Sequence, residues 1–165
     1  MTRRQLAARF FLVASLLTAA LIFYFSAQKG VDSQSLSDGI TLRVAKLIRP
    51  DYTTLPRQAQ ISYLEMLSTL VRKNAHFCEF ALLGFNLLCY LRLRDPATPP
   101  RTCRLQAWII ATLYAVTDEV HQLFISERSP QVLDVLIDSA GGLAGALFAT
   151  LCLAAVLRHL HRSAP

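Results

Sequence analysis

Apolar residues in this chain come in long runs rather than in alternation. Phe10 to Phe25, Ala75 to Leu91, Leu105 to about Phe124, and Asp134 to about Leu157 are dominated by Leu, Ala, Ile, Val and Phe. A helix needs about 20 mostly apolar residues to cross a bilayer. The pattern predicts an all-α membrane protein of four transmembrane helices, over about 10–25, 75–91, 105–124 and 134–157, in one domain, 1–165. Arg3, Arg4 and Arg9 stand before the first run, as they would before a cleaved signal peptide. A cut after Ala27 would put bulky Phe25 where a small residue is required, so this run is expected to remain as a span.

Between the first two runs lies the longest polar interval, an outer segment over 26–74. Leu36, Ile40, Val44 and Leu47 share a helical face, with Arg43, Lys46 and Arg49 off it. That is the pattern of an amphipathic helix lying at the membrane surface, closed by Pro50. Ile61, Leu64, Leu67 and Val71 repeat the helical spacing and lead without a breaker into the second span. The turn RLRDPATPPRTCR, with three prolines, separates spans two and three. Ser129 and Pro130 are a good N-cap and first helical residue for span four.

Composition agrees with the membrane reading. Of 165 residues, 53% are hydrophobic and 17% charged, and the mean hydropathy is +0.38. The net charge of +6 does not point to nucleic acid, because the Lys and Arg residues cluster at the ends of apolar runs, where topology signals belong. Cys78, Cys89, Cys103 and Cys152 lack metal-ligand spacing and are expected as apolar filler without a disulfide. Arginines are densest in the N-terminal segment, the 92–104 turn and the tail, which places both termini in the cytoplasm. Trp108 then falls near the inner boundary, as an interfacial anchor would.

That topology brings the polar residues to one depth. Ser26 and Gln28 end span one; Arg72, Lys73, His76 and Glu79 begin span two; Asp118, Glu119, His121 and Gln122 end span three; Asp134 and Asp138 begin span four. Arg128 lies in the short loop beside them. Ionisable groups at the edge of lipid-length helices are costly unless they pair or line a polar cavity. A four-helix bundle with an outward-facing polar pocket follows. Gly141 and Gly145 would let another helix approach closely, within the chain or from a second copy in an oligomer.

Two chemistries fit these groups. His76-x-x-Glu79 and Asp118-x-x-His121 each set two ligand-type side chains one turn apart, as in bundles that hold metal ions. A divalent metal ion there would activate water against a phosphate or ester, making a membrane-embedded hydrolase or transferase. Without a metal, His121 held by Asp118 would serve as a general base. In the other chemistry the site only binds. Ser26, Gln28, Lys73, Glu119, Gln122, Arg128, Asp134 and Asp138 would grip a head group, the cations on phosphate and the carboxylates on amines or hydroxyls. A purely structural role, in which these charges neutralise one another, accounts for single residues better than for the whole set.

The pieces SAQ at 26–28, KNAHFCEF at 73–80, TDEVHQLFISER at 117–128 and DVLIDSAGGLAG at 134–145 resemble the VanZ-like membrane proteins. Phe80 departs from the Tyr often found there, which removes a hydroxyl, and 29–72 is less family-like. The resemblance implies a bacterial cytoplasmic-membrane protein of the cell envelope, associated with resistance to the glycopeptide teicoplanin, and no particular reaction. Membrane lipids, a lipid-linked cell-wall precursor or the glycopeptide itself are the partners it implies.

Overall fold

The computed structural model describes residues 1–27, 30–125 and 131–162. Five helices make up the fold: α1 Arg3–Ser26, α2 Gly30–Ile48, α3 Arg57–Arg94, α4 Pro100–Gln122 and α5 Val132–Arg162. A short 3-10 turn, Pro50–Thr54, links α2 to α3. No strand occurs among the described residues. Thr2 caps α1 by accepting from the Gln5 N–H, and the Gln5 side chain accepts from the Thr2 N–H in return, so two otherwise orphaned donors are satisfied. Pro100 starts α4, where its missing N–H has no helical partner to lose.

Among the described residues, three helices are long and apolar enough to cross a membrane: Arg3–Ser26, Arg57–Arg94 and Val132–Val156. The chain is therefore a helical membrane protein. Helix α4 is 23 residues long but carries Arg101, Arg104, Asp118 and Glu119 and is not among the three. The expected second span and the helical pattern before it are one continuous helix, because 57–94 contains neither glycine nor proline except Gly84.

Side-chain contacts give the directions. Thr18 meets Asn86 and Tyr114 reaches the Ala19 carbonyl, so α1 runs against α3 and beside α4. Trp108 and Thr112 meet Ser139 while Glu119 meets Gln131, so α4 is antiparallel to α5. The end of α1, the middle of α3, the end of α4 and the start of α5 thus gather at one end of the bundle.

The main core joins Ile22, Phe80, Leu83, Leu87 and Leu88 to Ala107, Ala111, Ala115, Ala146 and Ala149. Ala107, Ala111 and Ala115, fully buried at four-residue spacing, form the inner stripe of α4 and keep its neighbours close. Cys89 and Cys103 fill the same core. Trp108, expected as an interfacial anchor, donates its indole N–H to Ser139 at 2.9 Å and ties α4 to α5.

Helices α3 and α5 touch through backbone. A Cβ on Gly84 would lie 2.1 Å from the Gly142 carbonyl oxygen, and one on Gly145 only 1.7 Å from that of Ala81. Gly141 likewise faces Phe77. The Gly141–Gly145 stripe packs against α3 of the same chain.

The outer segment has a small core of its own. Ala45, Tyr52 and Leu67 are buried, with Val44, Leu55, Tyr63 and Leu64 packed on them. The face of α2 turned inward is therefore set by Thr41 and Ala45, while Ile40 and Leu47 stay 57% and 81% exposed.

Gly145→Ala is expected to lower stability in detergent by about 1–3 kcal/mol, the usual range for overpacking, since backbone must move. Gly39→Ala, with open space around the new methyl, is expected to be neutral or stabilising; thermal unfolding by circular dichroism checks both.

Candidate functional site

A cavity of about 430 Å³ opens at the gathered end of the bundle. Its walls are Thr69, Arg72, Lys73 and His76 of α3, Glu119 and Gln122 of α4, then Gln131, and Asp134, Ile137 and Asp138 of α5. Only Ile137 among them is apolar. The α3 residues follow the spacing i, i+3, i+4, i+7, which sets them on one helix face. Arg72, Lys73, His76, Glu119, Gln122, Asp134 and Asp138 are legible in the sequence as candidates; Thr69, Gln131 and Ile137 are not. Thr69 was signalled by standing one turn before Lys73.

Lys73 Nζ binds Asp134 Oδ1 at 2.5 Å and joins α3 to α5, both side chains half-buried. His76 Nδ1 stands 3.8 Å from Glu79 Oε2 along α3. Glu119 accepts from the Gln131 backbone N–H at 3.1 Å, which ties the end of α4 to the chain entering α5. Asp138 is only 2% exposed, and its Oδ1 has no hydrogen-bond partner among the described residues. A buried carboxylate oxygen without a donor is costly, and this one belongs to a residue of the cavity wall.

Other candidates lie outside the cavity. The Ser26 hydroxyl donates to Asp118 Oδ2 at 2.7 Å, and the Gln122 amide donates to the same oxygen at 3.2 Å. Ser26 and Asp118 are both buried, so this is a latch between α1 and α4. His121 stacks on Phe23 with ring centroids 4.4 Å apart, and its Nδ1 is buried without a hydrogen bond among the described residues. The Asp118–His121 dyad expected from their spacing is therefore not formed: each side chain turns instead to a partner on α1. Gln28 and Arg128 lie outside the described residues. Phe80 is buried in the core with its ring 6.1 Å from that of Tyr114.

Among the described residues no group of three or more His, Cys, Asp or Glu side chains is placed to hold a metal ion. What the cavity presents is mixed charge, cations on α3 against carboxylates on α4 and α5, suited to a polar ligand with both acceptors and donors.

Ser26→Ala would leave Asp118 with Gln122 as its remaining side-chain donor. The expected loss is about 1–3 kcal/mol, as for a buried acceptor deprived of a donor, read as a lower unfolding temperature with the side chains of the cavity wall unchanged.

No curated protein and no solved structure matches the chain. The family model described as VanZ/LLP1 matches residues 11–153, which takes in most of α1 through most of α5 and every candidate residue named above. With most of its length matched, this chain belongs to the VanZ/LLP1 family.

Proposed function

We propose that the cavity binds the polar head of an amphiphile at the outer leaflet of a bacterial cytoplasmic membrane. The ligand is a membrane lipid, a lipid-linked cell-wall precursor or an acylated glycopeptide such as teicoplanin. In this reading α4 is the fourth span, both termini are cytoplasmic, and binding is the route by which the protein would confer glycopeptide resistance.

The observation that carries the reading is the cavity itself. Asp138 lines it with a buried, unpartnered carboxylate oxygen among the described residues, opposite Lys73 and Arg72. Such an oxygen asks for a donor from a ligand, and the cations ask for an anion. Lipid-length helices below the cavity supply a place for the ligand's apolar part. The chain directions, alternating α1, α3, α4 and α5, support an up-down-up-down crossing. They set the arginine-bearing ends of α1 and α3 away from the cavity, as the bias of basic residues toward the cytoplasm requires.

A second reading, a hydrolase or transferase, draws on His76. It lines the cavity with Glu79 beside it, so a bound ester or phosphate would meet a general acid–base pair.

A reporter fused after Arg49 is expected to read as external and one after Pro99 as cytoplasmic; the reverse would move the cavity to the inner face and end the envelope reading. Binding is tested on protein in lipid nanodiscs with fluorescent teicoplanin and a polyprenyl-diphosphate saccharide as probes. Lys73→Ala and Asp138→Asn are each expected to weaken binding about tenfold or more, the scale of one charge-assisted contact. Unchanged affinity for both probes in folded variants would refute a ligand site. Intact probe recovered after incubation supports binding alone, whereas cleavage by the native chain that His76→Gln abolishes would establish the enzyme.

A further inference from the structure

We propose a second ligand site at the opposite end of the bundle, where Arg4, Arg9 and Arg94 receive the phosphate of an anionic membrane lipid. A groove of about 560 Å³ runs there between the first turns of α1 and the last turns of α3. The three guanidiniums share it with Tyr90, Leu12 and Leu93. It lies at the far end from the acidic cavity and owes nothing to the ligand of that site.

Three like charges around one groove repel unless an anion sits among them. None of the three arginines is ion-paired with a carboxylate among the described residues. The neighbouring acid, Asp95, is engaged elsewhere: its Oδ1 accepts from the Ala97 N–H at 3.1 Å and its Oδ2 from the Thr98 hydroxyl at 2.5 Å. Those two bonds, first Thr98 and then Ala97, hold its carboxyl below the usual range, and the charge of Arg4 contributes least. Arg94 is pre-positioned, with Nη1 donating to the Tyr90 hydroxyl at 3.2 Å and its guanidinium 5.9 Å from the Tyr90 ring centroid. That leaves most of its five N–H donors for a phosphate, which guanidinium forks match in geometry.

The shape selects a lipid over a free anion. Arg4 and Leu12 are eight residues apart on α1, roughly 12 Å along a helix. Leu12 and Leu93 line the groove together with the three arginines, so a phosphate held there has apolar wall within reach of its acyl chains. Beside it, Leu6 and Phe10 are 58% and 65% exposed on the outer face of α1, an apolar surface suited to neighbouring acyl chains. Basic pockets between membrane helices are a recognised setting for anionic head groups.

The test is native mass spectrometry of the full chain in mild detergent, titrated with phosphatidylglycerol or phosphatidylcholine. Phosphatidylglycerol is expected to bind more tightly. Replacing all three residues, Arg4→Gln, Arg9→Gln and Arg94→Gln, is expected to weaken it roughly a hundredfold, and Arg94→Gln alone about fivefold. Arg57→Gln, an exposed charge far from the groove, should leave affinity unchanged, and circular dichroism establishes that each variant is folded. If the triple variant fails to fold, Arg9→Gln and Arg94→Gln singly carry the same reading. Equal affinity for the two lipids, or undiminished phosphatidylglycerol binding in the folded variants, would overturn the site. Displacement of the lipid by inorganic phosphate alone would overturn its assignment to a lipid.

Discussion

Everything in this molecule hangs on how closely α3 and α5 approach. Gly84, Gly141 and Gly145 remove the side chains that would hold the two helices apart, and backbone meets backbone. In lipid there is little hydrophobic driving force between helices, so close van der Waals contact and hydrogen bonds must do the associating. The same parallel register that sets Gly141 on Phe77 and Gly145 on Ala81 brings Lys73 to Asp134, one turn nearer the cavity mouth on α3. The glycine contact therefore determines both the cohesion of the bundle and the geometry of its charged wall.

Around that pair the other helices are fastened by buried polar groups. Tyr114 donates to the Ala19 carbonyl at 2.6 Å, Asn86 donates to Thr18 at 3.3 Å, and Ser26 donates to Asp118. Each replaces a desolvation penalty with a directional bond between segments far apart in the chain. The polar residues at the cavity end consequently divide by task. Asp118 and His121 face α1 and hold it through Ser26 and Phe23, while Lys73, His76, Glu119, Asp134 and Asp138 face an open volume.

The bundle is also electrically polarised. One end presents carboxylates of α4 and α5 against two cations of α3, and the other presents arginines of α1 and α3. Charges so placed bias the orientation of a helical membrane protein. They also give its two ends different surface chemistry.

Much of this was readable along the chain. Apolar runs announced the helices, because bilayer thickness makes length a one-dimensional signal, and the merger of 57–72 with the second span followed from the lack of breakers. The clustering of Lys73, His76, Glu119, Gln122, Asp134 and Asp138 at one depth also followed, since alternating helices must return polar ends to the same level. What linear spacing does not carry is rotation about each helix axis. Asp118 and His121 are one turn apart and look like a dyad, yet packing turns both toward α1, to Ser26 and Phe23. Likewise the apolar spacing of Ile40, Val44 and Leu47 does not disclose that α2 turns Thr41 and Ala45 toward the protein. Which neighbour a helix face meets is decided by the shapes of two surfaces together, and only the folded bundle brings both surfaces into being.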